Sequence, residues 1–195
     1  MKRVVATVAA FLIVAAMQAA GPALAASPMT TITMSVSGCE GCTIIPATNP
    51  AGSSDIYNGP ETKVSNGIAT ITVPTSQTAG MYFGILPSWK SEINARTLIV
   101  FQYRGARVDG TLTKSQAMAF SKASACWAGT ADDTVDIRVT VRRVWMPADF
   151  PTATGAKRTQ VPLAWVEPTQ DALPPFWPAI KGVLLTQDSV DCKLG

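Results

Sequence analysis

The sequence has 195 residues, with 16 Lys or Arg, 13 Asp or Glu and no histidine. The lack of histidine excludes Ser-His-Asp and Cys-His catalysis, haem attachment at Cys-x-x-Cys-His and histidine-containing zinc sites. Nothing in the balanced charge indicates nucleic-acid binding, which requires a clustered basic face. The length is sufficient for one domain with a sizeable core.

The first 25 residues are predicted to be a secretory signal peptide. Lys2 and Arg3 form a positive n-region, Val4–Ala16 is an apolar run, and Ala23–Ala25 is a small-x-small cleavage site. A permanent anchor is the alternative, but the run is short for one. No later apolar stretch is long enough to span a bilayer, so we expect no membrane attachment after cleavage.

Residues 26–195 are predicted to form a single secreted domain, because no internal repeat or linker divides them. Loss of Lys2 and Arg3 lowers the formal net charge from +3 to +1. The first predicted strand is Thr31–Val36, in which apolar and polar residues alternate. It ends at the glycine-bearing turn Gly38–Cys42.

The next elements are predicted to be a hairpin and two buried strands. Asn66-Gly67 lies between the β-prone runs Thr62–Val64 and Ile68–Val73, and Asn-Gly is the strongest short-range hairpin signal. Met81–Leu86 alternates again. Thr97–Tyr103 is apolar almost throughout, which is typical of a strand that is covered on both faces; we expect it beside the strand that begins at Thr134.

One short α-helix is predicted over Lys114–Cys126. Thr113 and Gln116 have the spacing of a capping box, and the segment contains neither proline nor glycine. Its apolar stripe is weak, so we expect it to lie over one end of the sheet.

The stretch Thr134–Met146 is predicted to be the central strand. Odd positions are apolar as far as Val141, but Val144 and Met146 are apolar at even positions. A β-bulge at Arg142-Arg143 would keep both sets facing inward. The alternative is that the strand ends near Arg143.

Two later strands complete the prediction. Val161–Val166 is expected at a sheet edge because Pro162 cannot donate a backbone hydrogen bond, and Ile180–Thr186 is the last strand. The predicted fold is mainly β: an antiparallel β-sandwich, or a related β-barrel, with one short helix and disulfide bonds.

Four cysteines, an even number in an exported chain, are expected to form two disulfides: Cys39–Cys42 and Cys126–Cys192. Alternatively, Cys-Glu-Gly-Cys is a redox dithiol, but such motifs normally begin a helix, and here the motif follows a strand. A four-thiolate zinc site is the other alternative, and the wide spacing around Cys126 and Cys192 argues against it.

The carboxylates suggest two further, weaker hypotheses about function, a glycosidase site and a calcium site. Glycoside hydrolysis needs a carboxylate pair and no histidine, and Asp132, Asp133, Asp188 and Asp191 are candidates, although their spacing selects no pair. Asp132, Asp133 and Asp136 could hold calcium, but there is no Asp-x-Asp-x-Asp loop, and surface charge explains them better. We therefore predict no catalytic residues, no metal ligands and no cofactor.

Tryptophans supply the candidate binding residues. Flat aromatic rings stack on the apolar faces of sugars, and Trp177 follows Phe176 in a proline-rigid loop. Trp89 lies in another loop, and Trp145 falls on the wet face if the bulge exists. The alternative interpretation is that these rings fill the core, as most tryptophans do.

Three segments carry a resemblance: Val36–Cys42, Cys126–Thr130 and the late Cys192. With them, and with an alanine-rich signal peptide, the chain resembles the small exported proteins of unknown function common in actinobacteria. The resemblance implies a secreted β domain with no assigned activity, and it carries over no functional residue.

These observations predict a non-catalytic extracellular binding protein. Cell-envelope or environmental polysaccharide is the expected ligand. An exported structural or protein-interaction domain that acts through a sheet edge or a loop on an extracellular protein is the alternative. The sequence leaves the oligomeric state open.

Overall fold

The computed structural model describes residues 27–50, 56–89, 96–103, 123–147, 158–173 and 192–194. The strands found there are β1 Met29–Ser37, β2 Thr43–Thr48, β3 Tyr57–Asn58, β4 Thr62–Lys63, β5 Ile68–Pro74, β6 Met81–Leu86, β7 Thr97–Val100, β8 Gln102–Tyr103, β9 Ala123–Ser124, β10 Thr134–Pro147 and β11 Arg158–Val166. The only helical element in this part of the chain is a 3-10 turn at Thr75–Gln77. The predicted mainly β fold is confirmed.

Nine of the strands form one sheet, in the order β3-β2-β6-β7-β11-β10-β1-β5, with β4 also paired to β2. The β4–β5 hairpin joins the two edges of this sheet, because β4 pairs with β2 and β5 pairs with β1. The sheet therefore curls into a half-barrel. The two stacked sheets of a sandwich are not confirmed.

The sheet is mixed, which corrects the prediction of an antiparallel fold. β1 pairs in parallel with β10, and β7 pairs in parallel with β11. Alternation along a strand fixes which face is buried but does not fix the partner or its direction. The strand that begins at Thr97 consequently lies two places from β10, with β11 between them.

The core lies on the inner face of the curl, and the predicted inward residues occupy it. Ile32, Met34 and Val36 of β1 are buried, and so are Met81, Phe83 and Ile85 of β6. Phe83, Phe101 and Trp127 form an aromatic cluster with ring centroids 5.6–6.3 Å apart. Their offset and tilted geometry is the one that aromatic pairs prefer.

The predicted strand Thr97–Tyr103 is divided into β7 and β8, and the prediction that it is covered on both faces is confirmed for β7. Leu98, Ile99 and Val100 are fully buried although neighbours in a strand point to opposite faces. Trp165 and Leu163 of β11 are buried on the outer face, where Leu98 and Val100 also lie. Part of the outer face is therefore as apolar as the inner one.

The β4–β5 hairpin turns at Asn66-Gly67, as predicted. Asn66 has φ 52° and Gly67 has φ 72°, the two positive angles that a type I′ turn requires. A Ser65–Ile68 bridge closes the turn. The Glu40 carboxylate accepts hydrogen bonds from both turn amides, Asn66 N–H and Gly67 N–H, each at 3.0 Å.

Glu40→Ala is expected to lower the free energy of unfolding by about 1.5 kcal/mol, because two hydrogen bonds to a charged acceptor are lost. Urea unfolding of the oxidised protein measures this. Glu61→Ala is the matched control: Glu61 is exposed one residue before β4, and its loss should change stability by less than about 0.5 kcal/mol. Equal effects for the two variants would contradict the role of Glu40.

The predicted α-helix is wrong in the part that can be compared. Ala123 and Ser124 form β9, and Phe101 N–H donates to the Ser124 carbonyl at 2.8 Å. Strand pairing and the hydrogen bond from the Ser124 hydroxyl to the Leu173 carbonyl at 2.6 Å hold this stretch extended. The remainder of the predicted helix falls within 104–122, outside the described residues.

The edge position predicted for the Pro162 strand is also wrong, because β11 lies between β7 and β10. The Pro162 carbonyl accepts a hydrogen bond from the Thr97 hydroxyl at the start of β7. The N–H and C=O of one strand residue point to the same side of the strand. The position of the missing Pro162 N–H therefore faces the space before Thr97, the first residue of β7. The proline therefore removes no ladder hydrogen bond to β10.

Both predicted disulfides are present, Cys39–Cys42 and Cys126–Cys192. The first closes the turn between β1 and β2. The second joins the segment after β9 to residue 192, which forms a bridge with Pro50. The predicted strand Ile180–Thr186 and the signal peptide lie outside the described residues.

Candidate functional site

The two central strands extend past their neighbours at one end of the sheet. β1 pairs with β10 only as far as Thr140, and β7 pairs with β11 from Ala164. Arg142–Pro147 and Arg158–Leu163 continue as a two-stranded ribbon, which we call the β10–β11 arm. In the described part of the chain, these residues pair as strands only with each other.

The pairing along the arm is continuous, which corrects the predicted bulge at Arg142-Arg143. Each residue from Val139 to Pro147 faces one partner in β11, so the strand does not end near Arg143 either. Val144 lies opposite Val161, which is buried. The shift of apolar residues from odd to even positions at Val144 therefore results from packing on the outer face rather than from an extra residue in the strand.

Without a bulge, Arg143 and Trp145 stay on the inner face of β10, continuing the row of Ile137, Val139 and Val141. The first three positions are buried, whereas Arg143 and Trp145 are exposed. Trp145 is 52% exposed although it is a large apolar side chain. The face of β10 that packs in the core is therefore exposed to solvent along the arm.

Trp89 completes this surface from the loop that follows β6. The Arg143 guanidinium lies 4.2 Å from the centroid of the Trp89 ring, a cation–π contact. The Ser88 hydroxyl fixes the loop by donating to the Glu40 carbonyl at 2.7 Å. Trp89 is half-buried against the core, and its indole N–H has no acceptor in the described structure.

We call the group Trp89, Arg143, Trp145 and Gln160 the arm surface, since Gln160 lies directly opposite Trp145 in the strand register. It contains one exposed aromatic ring and one oriented guanidinium, while Gln160 already has an interaction of its own. Such groups bind and orient a ligand. A nucleophile or general base is not among them, so this surface suits binding better than catalysis.

The sequence-predicted binding residues separate into two groups. Trp89 and Trp145 are brought to the same end of the sheet, while Phe176 and Trp177 lie outside the described residues. Trp127 and Trp165 are buried. The core interpretation therefore holds for these last two tryptophans and fails for Trp145.

Sequence reasoning missed Arg143, which it treated only as a possible bulge. The sequence did indicate a positively charged surface here, because Val141–Pro147 and Arg158–Val166 contain three arginines and no carboxylate. An arginine two residues from an exposed tryptophan shares its face of a strand, because side chains alternate with period two. That pairing could have been predicted if the strand had been taken as continuous.

The other candidate constellations do not converge in the described part of the chain. Asp132 and Asp133 are exposed, and Asp132 accepts a hydrogen bond from the Thr130 hydroxyl at 3.1 Å. Among the described residues, no three His, Cys, Asp or Glu side chains are grouped as metal ligands would be. Asp188 and Asp191 lie outside the described residues.

Comparison of the chain with protein-family models, with curated proteins and with solved structures gave no match. The resemblance to exported actinobacterial proteins therefore stays a prediction. Among the described residues, no helix has the length and apolar composition to cross a bilayer. The two disulfides are typical of proteins that fold in an oxidising compartment.

Proposed function

We propose that the protein is a secreted, non-catalytic binding protein whose ligand is a polysaccharide, and that Trp145 provides the stacking surface. The signal-peptide pattern of the first 25 residues and the two disulfides support export. The observation that carries the proposal is the 52% exposure of Trp145 on a strand. A tryptophan side chain has only two rotatable bonds, so stacking costs little conformational entropy.

Trp89 and Arg143 lie near Trp145 and support the same proposal. The guanidinium covers the Trp89 ring, so Trp89 acts as a platform for Arg143 rather than as a second stacking ring. Trp177 and Phe176 remain predicted members of the binding surface. The proposal does not depend on them, because it can be tested with a substitution of Trp145 alone.

The test is sedimentation of the mature, oxidised protein with insoluble polysaccharides and purified cell walls. Trp145→Ala is expected to raise the dissociation constant about tenfold, since loss of the stacked ring removes about 1.5 kcal/mol of apolar contact. Met29→Ala is the control, because Met29 is 46% exposed at the start of β1, far from the arm. Retention that is unchanged in Trp145→Ala, or absent in the wild type, would refute the proposal.

A protein-interaction domain is the second candidate, and one feature of the arm favours it. Beyond Thr140, the edge of β10 that faces away from β11 has no strand partner among the described residues. An extended peptide can add to such an edge through main-chain hydrogen bonds. Cross-linking in native culture medium tests this candidate, and a partner cross-linked at the arm without polysaccharide retention would select it.

A further inference from the structure

Charge is unevenly distributed along β10 and the turn before it. Asp132, Asp133 and Asp136 stand at the beginning, whereas Arg142 and Arg143 stand near the end. The seven residue steps from Asp136 to Arg143 span about 23 Å of strand, more than two screening lengths at physiological salt. The charged residues of the arm are therefore all positive, although the predicted mature chain has a net charge close to zero.

Among the residues that the structure describes, Arg143 is a cation that is held in place without a counter-ion. Its guanidinium lies on the Trp89 ring, and no carboxylate in the described part of the chain pairs with it. The Glu40 carboxylate, on the turn fixed to the Trp89 loop, is already occupied by the two hairpin amides. A guanidinium that rests on an aromatic ring still has N–H groups directed away from the ring, and these can bind an oxyanion in bidentate fashion.

Arg143 and Trp145 are spaced to contact one ligand. They are two residues apart on the same face of a continuous strand, so their Cα atoms are about 7 Å apart. A sugar ring stacked on Trp145 would bring its substituents, or those of the next sugar, near the guanidinium edge. A neutral glycan would leave this oriented charge unused.

We infer that the ligand of the arm surface is an anionic polysaccharide, with its acidic group bound by Arg143 beside the ring stacked on Trp145. This inference rests on the proposed function and narrows it to one class of glycan. A uronate carboxylate and a sulfate ester share the required chemistry, a planar or tetrahedral oxyanion on a sugar.

Affinity electrophoresis of the mature, oxidised protein tests the inference with three soluble probes: polygalacturonate, dextran sulfate and dextran. The wild type is expected to be retarded by one or both polyanions at least tenfold more strongly than by dextran. Binding should weaken as salt is raised, because the contact is electrostatic. The relative retardation by the two polyanions identifies the acidic group.

Two substitutions separate a specific contact from general charge. Arg143→Gln is expected to reduce polyanion affinity about tenfold. Arg138→Gln is the matched control on the same strand: Arg138 is exposed but faces the other way, with Nε donating to the Glu167 carbonyl at 3.1 Å. Arg143→Lys keeps the charge and removes the fork, so an intermediate affinity is expected.

The outcomes distinguish the inference from the proposed function. Equal losses in Arg143→Gln and Arg138→Gln would overturn the inference, because net charge would then explain binding. Binding to dextran as strong as to both polyanions would overturn it as well, while leaving polysaccharide binding intact. Failure to bind any of the three probes, together with no sedimentation on insoluble polysaccharides, would refute both the inference and the proposed function. Circular dichroism of each variant confirms that the fold is retained.

Discussion

Replacing Cys126 and Cys192 together by serine is expected to lower the free energy of unfolding by about 4 kcal/mol, and replacing Cys39 and Cys42 by about 2 kcal/mol. The difference follows from loop length. The first pair is 66 residues apart and the second only 3, so the first bond restricts the unfolded chain far more.

Burial does not distinguish the two pairs. All four cysteines are at most 3% exposed, so the cost of placing serine hydroxyls in the core is similar and largely cancels in the comparison. Urea unfolding of wild type and both double variants measures the two losses. Equal losses, or a larger one for the local pair, would show that chain entropy does not set the ranking.

Gly38→Ala is expected to lower the free energy of unfolding by about 3 kcal/mol, in two parts. Gly38 has φ +80°, a conformation that costs other residues about 1–2 kcal/mol. In addition, a Cβ atom at this position would overlap the backbone carbonyl oxygen of Val141. Relief of that overlap requires the end of β1 to move away from β10, a cost comparable to overpacking a core, about 1–3 kcal/mol.

Gly67→Ala is the matched control for this prediction. Gly67 also has a positive φ, +72°, but the nearest atom to its added Cβ is the Val36 carbonyl oxygen at 3.5 Å, an ordinary contact. Only the conformational cost remains, and the expected loss is about 1 kcal/mol. Urea unfolding of both variants against wild type separates the two contributions. A Gly38→Ala variant as stable as Gly67→Ala would mean that the β1–β10 junction relaxes freely.

Local elements of this fold could be predicted because their determinants are local. The Asn66-Gly67 turn needs two positive φ angles, and the sequence supplies the two residue types that adopt them most readily. Alternation in Thr31–Val36 and Met81–Leu86 gives the buried face directly, since side-chain direction has period two. The pairing of four cysteines was also accessible, because only one pair is close in sequence.

Partners and direction could not be predicted in the same way. The parallel pairing of β1 with β10 depends on how the whole sheet curls, and neither strand encodes it. Pro162 was misplaced because a proline is excluded from a central strand only if its missing N–H faces a partner, and β7 is too short to provide one there. The same limit applied to the proposed binding surface. Trp145 was selected for its chemistry, but Arg143 could be placed beside it only once the strand was known to be continuous.

The pairing of β1 with β10 joins two strands that are far apart in the chain. The Ser37 hydroxyl hydrogen-bonds Thr140, 103 residues later in the chain. β1 is synthesised before every other described strand and can pair early with β5, but its second edge stays open until β10 has been made. Such distant pairing makes folding slow, and an open strand edge invites association with other chains. β1 must therefore stay protected from other chains until its second partner, β10, has been made.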